Sequence, residues 1–259
     1  MLRCDVSARR CILNKKTLIK EYIKNHPYFN LDGVIKETGL SKQVAKNYLH
    51  AFKEESVIFS AGGGIYSTVE KEFSCQKNSR VEKISRIIKK EFPLLDFIIW
   101  NTACFQGYYH HMQTHNITFV EVEQDGIQPV VDSLAKFYRF MLVEKKSKVF
   151  SVNFDITRDP IIVRALISRS PRQKHSPCLE KLLVDMFIIK DKYNTMTASD
   201  YWELWHQMYS LYRINFGELI EYARRRKSLK NLLPQVINNL KLDKVTFGTK
   251  FDLVSKVTR

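Results

Sequence analysis

The fold of this chain is decided by residues 31–67, which have the sequence LDGVIKETGLSKQVAKNYLHAFKEESVIFSAGGGIYS. Asn30 can cap a first helix, and Gly39 tolerates the positive φ that ends it. Ser41 can cap a second helix, in which apolar residues recur at helical spacing. Two β-prone runs then flank residues 61–64, a hairpin signal. Helix, tight turn, helix and hairpin in this order predict a winged helix-turn-helix, which sets its second helix into the major groove of DNA.

The second helix has a polar face between its apolar positions. Glutamine and asparagine there can bond adenine in a bidentate manner, a lysine can reach guanine acceptors, and the other cations can fix the register on phosphates. The helix start suits a phosphate, and the hairpin glycines permit close approach of the backbone. The predicted DNA-binding residues are Ser41, Lys42, Gln43, Lys46, Asn47, His50, Gly63, Tyr66 and Ser67. The alternatives are a solvated helix face and an ordinary pair of packed helices.

The charge of the chain also indicates DNA binding, for a different physical reason. The formal net charge is +15, from 42 lysines and arginines against 27 acidic residues. Phosphate neutralisation with counterion release is a common use of such a surplus. The run Arg224, Arg225, Arg226 and Lys227 is a candidate second basic patch, although cations at a helix C-terminus are also favourable for dipole reasons alone.

Composition excludes several other classes of protein. No apolar stretch approaches the roughly 20 residues of a membrane helix, and the N-terminus has no secretory h-region. The 5 cysteines are odd in number and none has CxxC spacing, which favours reduced thiols in the cytoplasm. His110, His111 and His115 lie close in sequence, but no thiol or carboxylate completes a metal-ligand set. We therefore expect no metal, no other cofactor and no membrane contact.

The periodicity changes after a polar stretch at residues 71–79, which is the predicted linker. Residues 1–70 form the predicted DNA-binding domain, and residues 80–259 an α/β domain with C-terminal helices. Strands separated by single helices imply a mixed sheet, so the predicted fold class is α/β (α+β). The predicted helices are 80–91, 103–115, 130–140, 179–190, 198–213, 216–226 and 229–240, and the predicted strands are 95–100, 117–122, 148–152 and 161–167.

Two segments of the second domain resemble a known family. Residues 161–187, IIVRALISRSPRQKHSPCLEKLLVDMF, contain a strand, the loop Ser170-Pro171 and a helix that begins LEKLLVD at residues 179–185. Residues 118–123, TFVEVE, precede a helix that contains VVDSL at residues 130–134. These motifs and the order of elements resemble the AbiEi-type antitoxins of type IV toxin–antitoxin, or abortive infection, systems.

The resemblance implies an antitoxin that takes part in phage defence and represses its own operon by binding operator DNA through the winged helix. It further implies a functional partner, a nucleotidyltransferase-like toxin, which the antitoxin counters without a stable complex. Operators made of inverted repeats are occupied by two protomers, either a dimer or monomers that bind cooperatively.

Two other functions remain open on the sequence. A restriction-endonuclease-like nuclease needs clustered carboxylates and a lysine around a metal. Asp96, Glu121 and Glu123 stand at plausible strand positions, but the lysine expected after Glu123 is missing. No catalytic residue is therefore predicted, and the chain is not expected to be an enzyme. The second alternative is a protein-interaction module without specific DNA binding.

Three charged residues and three aromatic residues of the C-terminal helices receive structural predictions. Glu180, Lys181 and Asp185 are predicted to form ion pairs on the surface of their helix. The stripe of Trp202, Trp205 and Tyr209 is predicted to pack in the core.

Overall fold

The computed structural model describes residues 4–76, 78–110, 114–144, 154–242 and 246–247, with side chains from residue 15 onward. Its helices are α1 (Cys4–Asn25), α2 (Leu31–Thr38), α3 (Lys42–Glu54), α4 (Ser79–Glu91), α5 (Ile127–Ala135), α6 (Leu179–Tyr193), α7 (Ala198–Leu211), α8 (Phe216–Arg225) and α9 (Leu229–Leu240). Its strands are β1 (Tyr28–Asn30), β2 (Phe59–Ser60), β3 (Ile65–Ser67), β4 (Phe97–Asn101), β5 (Thr118–Val122), β6 (Met141–Val143), β7 (Ile161–Ala165), β8 (Arg172–Gln173) and β9 (Ser176–Pro177).

The described residues divide into two compact units. The first contains those within 1–72, 208–220 and 229–259, and the second contains those within 73–207 and 221–228. The division between units falls inside α7 and inside α8. The C-terminal helices thus contribute to both units.

The first unit begins with the order α1, β1, α2, α3, β2, β3. Its sheet has the strand order β1-β3-β2 and is antiparallel throughout. The predicted caps of α2 are confirmed: Gly33 N donates to Asn30 Oδ1 at 2.7 Å, and Gly39 ends the helix with φ 65°. Apolar residues of the three helices and of the hairpin region form one core, with Ile19, Val34, Ala45, Leu49, Phe52 and Ile58 among its buried members.

The hairpin turn between β2 and β3 depends on its glycines. Gly62, Gly63 and Gly64 all have positive φ, at 77°, 58° and 78°. Gly62 is also confined by its neighbours, because a Cβ there would lie 1.8 Å from Asn215 Oδ1 and 2.8 Å from Gly217 N. A Cβ on Gly64 would meet nothing within 4 Å. Gly62 is therefore required by its backbone conformation and by packing, whereas Gly64 is required by its backbone conformation alone.

We expect Gly62→Ala to destabilise the protein more than Gly64→Ala. The second substitution introduces only the left-handed strain of a non-glycine residue, about 1 kcal/mol. The first adds overlap with Asn215 and Gly217, for a total of about 3 kcal/mol. Urea unfolding of both variants measures the difference, and equal midpoints would show that residues 215–217 do not confine the turn.

The second unit is built on a mixed sheet, and the predicted α/β class is confirmed. The strand order is β4-β5-β7-β6, with β4 antiparallel to β5 and the other two pairs parallel. α4 and α5 cover one face of this sheet through an apolar core that includes Ile84, Ile88, Ile99, Val120, Val130 and Val163. Alternate residues of the same strands point to the opposite face, which carries the buried charges described below.

The structure differs from the predicted elements at three places. The helix predicted at 103–115 is wrong: a single 3-10 turn covers Thr102–Phe105, and Gly107 then adopts φ 89°, which a helix cannot include. Strands β1, β6, β8 and β9 were not predicted, because two or three residues are too few to show a period. The strand predicted at 148–152 lies outside the described residues.

No helix in the described part of the chain combines the length and the apolar character needed to cross a membrane.

Candidate functional site

The polar face of α3 is exposed, as the spacing of its residues predicts. Ala45, Leu49 and Phe52 are buried on the opposite side of the helix. The predicted contact residues Lys42, Gln43, Lys46, Asn47 and His50 are all exposed. Among the described residues, no carboxylate lies within salt-bridge distance of Lys42 or Lys46. This side of α3 therefore presents uncompensated cations together with two side-chain amides.

The two amides on this face form a pair. Gln43 Nε2 donates a hydrogen bond to Asn47 Oδ1 at 2.9 Å across one turn of the helix. The pair leaves Gln43 Oε1 as an acceptor and Asn47 Nδ2 as a donor. An acceptor beside a donor is the pattern that complements the N6 and N7 atoms of adenine. The hydrogen bond thus holds both side chains in one orientation on the helix surface.

The start of α3 is open to solvent. Ser41 occupies the N-cap position with φ −65° and ψ 150°, but its side chain makes no capping hydrogen bond. The first turn contains no acidic residue. The first amides of a helix have no partner within the helix and carry partial positive charge. Ser41 and these amides can therefore donate hydrogen bonds to an anionic oxygen.

Lys53 extends the basic side of α3 and was not predicted. It is exposed and follows Lys46 by seven residues, which brings it back to the same side of the helix after two turns. The helical spacing of Lys42, Lys46 and Lys53 is the signal in the sequence that indicates this position.

The three hairpin residues predicted to contact DNA differ in their exposure. Gly63 is exposed, whereas Tyr66 is half-buried and its ring stacks on Phe29 with centroids 5.9 Å apart. Ser67 is fully buried: its hydroxyl donates to Pro27 O at 2.9 Å and accepts from Val69 N at 3.0 Å. The prediction that Ser67 lies beside the groove is therefore wrong, because its hydroxyl is bonded within the fold and has no exposed surface.

The run at 224–227 does not form one basic patch. Arg224 pairs with Glu221 on its own helix. Arg225 Nη2 donates to a main-chain carbonyl, Arg169 O, at 2.7 Å. Arg226 points inward, with Nε 3.1 Å from Asp185 Oδ1. Only Lys227 stays exposed without a partner in the described region, so the run serves the end of α8 rather than a common surface.

The second unit contains a buried ionic cluster, which we define as Glu121, Arg164, Lys181, Asp185 and Tyr222. Glu121 Oε1 accepts from Arg164 Nη2 at 2.8 Å and from Lys181 Nζ at 2.7 Å. Asp185 Oδ2 accepts from Arg164 Nη2 at 2.8 Å and also from Lys181. Tyr222 OH donates to Asp185 Oδ1 at 3.0 Å. The cluster therefore ties β5 and β7 to α6 and α8.

The surroundings of the buried ionic cluster favour the charged forms of its carboxylates. The side chains of Glu121, Lys181 and Asp185 have no exposed surface, and that of Arg164 is 4% exposed. Burial alone would raise the pKa of both carboxyls, but the charges of Arg164 and Lys181 outweigh it and hold each pKa below its ordinary value. Burial, with the charge of Asp185, raises the pKa of Tyr222 to about 12. The phenol is therefore a donor to Asp185 throughout the neutral range.

The cluster contradicts the prediction of surface ion pairs on α6. Lys181 and Asp185 form the predicted pair one turn apart, but both are buried, and Glu180 is 6% exposed. The missed signal was in the register of the sheet. Glu121 stands opposite Arg164 in neighbouring parallel strands, so both side chains point to the face that α6 covers.

The carboxylates weighed for a nuclease do not converge. Asp96 forms a two-bonded pair with Arg172, at 2.6 and 2.7 Å, and Glu121 is engaged in the buried ionic cluster. Glu123 follows β5 and is exposed. In the stretches that the structure covers, no three histidine, cysteine or carboxylate side chains are placed to hold a metal ion.

The chain is similar to a known protein family over most of its length. Residues 44–243 match a family described as "Family of unknown function (DUF6577)". The match begins within α3 and includes the hairpin, the sheet of the second unit and the whole buried ionic cluster. No curated protein matches the chain.

Proposed function

We propose that this chain, which belongs to the family of unknown function DUF6577, is a sequence-specific DNA-binding protein that reads its site with α3. The observation that carries the proposal is the exposed face of α3, where Gln43 and Asn47 form an ordered amide pair beside lysines without acidic partners. Amides that read base edges and cations that neutralise phosphates are the two components of specific binding.

The order of elements supports a winged helix-turn-helix as the DNA-binding fold. α2 ends at Gly39, three residues separate it from α3, and the β2–β3 hairpin follows. In this fold the helix after the tight turn enters the major groove, and the hairpin lies beside it. Gly63 at the exposed tip of the hairpin is the residue that permits close approach to the DNA backbone.

The resemblance to AbiEi-type antitoxins supports a narrower proposal. In that case the protein represses its own operon and counters a nucleotidyltransferase-like toxin, binding inverted repeats as a dimer or as cooperative monomers. The promoter upstream of its own gene would then contain the preferred DNA sequence.

The proposal is tested by selecting duplexes from a random pool with the purified protein. We expect one enriched motif, bound with a steep dependence on salt. An enriched motif that is missing from the protein's own promoter would contradict autorepression and leave DNA reading intact. A pool without enrichment would contradict sequence-specific binding.

We expect Gln43→Ala with Asn47→Ala to reduce discrimination between the selected duplex and random duplexes by about 10- to 100-fold. Each good bidentate contact to a base contributes about 1–3 kcal/mol of discrimination. Competition binding with labelled duplex measures the ratio. Gln235→Ala with Asn239→Ala is the matched control, since these exposed residues on α9 have the same types and the same spacing. Unchanged discrimination in the α3 variant would rule out this pair as the reader.

A further inference from the structure

The helix α4 carries a second concentration of positive charge, which the sequence argument did not single out. Its buried side consists of Val81, Ile84, Ser85 and Ile88, which face the sheet of the second unit. On the opposite side Lys83, Arg86 and Lys90 are exposed at spacings of three and four residues. We call these three residues the α4 stripe. This spacing places them in one row along the helix.

The α4 stripe lacks the acidic partners that several cations elsewhere in the described residues have. Lys16, Arg158, Arg172 and Arg213 each have a carboxylate partner. In the described regions, no carboxylate lies within salt-bridge distance of a residue of the α4 stripe. Glu82 of the same helix precedes Arg86 by four residues, but the two side chains form no salt bridge.

Like charges three and four residues apart repel, so the stripe destabilises α4 in the free protein. Lys89, next to the stripe and also exposed, adds to the repulsion. An arrangement that is unfavourable alone becomes favourable when a polyanion neutralises it. This part of the chain is basic as a whole, because residues 73–259 contain 30 lysines and arginines against 19 acidic residues.

The dimensions of the stripe fit a nucleic-acid strand. From Lys83 to Lys90 the helix rises about 10 Å, at about 1.5 Å per residue. One strand of a duplex advances about 3.4 Å per phosphate. Three cations on long side chains in a row of this length can therefore reach neighbouring phosphates of one strand. No amide or aromatic side chain lies within the stripe, so it offers no means of reading a base.

We propose that the α4 stripe is a second, sequence-independent binding surface for the phosphate backbone of DNA, located on the second unit. It contributes affinity, whereas α3 contributes the choice of sequence. The surface does not depend on α3 as the reader: duplex DNA binds here whether or not the first unit recognises a motif.

The test replaces the stripe and measures binding of the full chain to random-sequence duplex of about 20 base pairs over a series of NaCl concentrations. For Lys83→Gln with Arg86→Gln and Lys90→Gln we expect about 10- to 100-fold weaker binding near 0.1 M salt. The slope of log K against log salt should decrease in magnitude by about 2 to 3, close to one for each lost phosphate contact. The thermal midpoint should be unchanged or higher, because the repulsion is removed.

Two controls separate a site from a general effect of charge. Lys174→Gln with Lys230→Gln and Lys241→Gln removes three exposed positive charges elsewhere and should leave the slope nearly unchanged. Lys83→Arg with Lys90→Arg keeps the charge and should bind as the original chain does, even if the neutral variant folds poorly.

Three results would overturn the proposal. One is an equal loss of binding in both triple variants, which would indicate net charge alone. Another is a stripe variant that folds normally and keeps its affinity and slope. The third is stripe-dependent binding of poly-glutamate as tight as that of the duplex, which would indicate an acidic protein partner. Failure of α3 as the reader would instead appear as lost motif selection with this salt slope preserved.

Discussion

Lys181→Met is expected to lower the free energy of unfolding by about 3–5 kcal/mol, the usual effect of removing one partner from a buried ion pair. Methionine preserves most of the volume of lysine, so the loss comes from charge rather than from a cavity. Glu121 and Asp185 would then share Arg164, and Asp185 would keep Arg226 as a further partner, in a site where neither carboxylate has exposed surface. Because whole-protein stability is commonly about 5–15 kcal/mol, this single change is severe. Urea unfolding followed by tryptophan fluorescence measures it.

Two further variants test that the charge of Lys181 is responsible. Lys181→Met with Asp185→Leu removes a positive and a negative charge together, and we expect it to be more stable than Lys181→Met alone. Lys192→Met removes a partner of Glu144, but its side chain is 38% exposed, so we expect a loss below about 1 kcal/mol. A double variant less stable than the single one would contradict the electrostatic explanation.

Acid is expected to destabilise the protein below about pH 5. Burial raises the pKa of Glu121 and Asp185, but the charges of Arg164 and Lys181 outweigh it, so each pKa lies below its ordinary value of about 4. The unfolded chain then binds more protons than the folded one as the pH falls. Stability is present above the unfolded pKa and is lost toward the folded pKa, by up to about 1.4 kcal/mol per pH unit for each carboxyl.

At alkaline pH the stability of the protein is expected to fall as the pH rises. Burial lowers the pKa of Lys181, but Asp185 and Glu121 outweigh it and hold that pKa above its ordinary value of about 10.4. Its contribution is therefore complete below that value and is lost as the pH rises beyond it. We expect a plateau between about pH 5 and pH 10. Unfolding midpoints measured from below to above this range locate it, with Lys181→Met plus Asp185→Leu as the control that should show a shallower fall in acid. An identical slope in both proteins would assign the acid loss to other carboxyls.

The fold was predictable where several local signals agreed. At α2, the cap Asn30, the apolar spacing and the positive φ of Gly39 all predict the same helix, and the structure contains it. The helix predicted at 103–115 failed because apolar and aromatic residues continued past Gly107, whose conformation ends any helix. β1 and β6 were missed because the partner strands that define them lie far away in sequence.

The candidate sites were predictable to different degrees for the same reason. The face of α3 follows from helical spacing alone, and its predicted residues are exposed. The fate of Ser67 depends on which side of a three-residue strand faces the core, which only the pairing with β1 decides. The buried ionic cluster depends on strand register and on two helices far apart in the chain, so local patterns cannot indicate it.

The buried ionic cluster also restricts how this family can diverge. A change at any one of its charged positions unbalances the enclosed charges, so single steps away from the set should lower stability. Substitutions there should occur in compensating groups that join residues on β5, β7 and α6. Relatives too distant to align by overall similarity could therefore be recognised by these correlated replacements, even where the exposed residues of α3 differ.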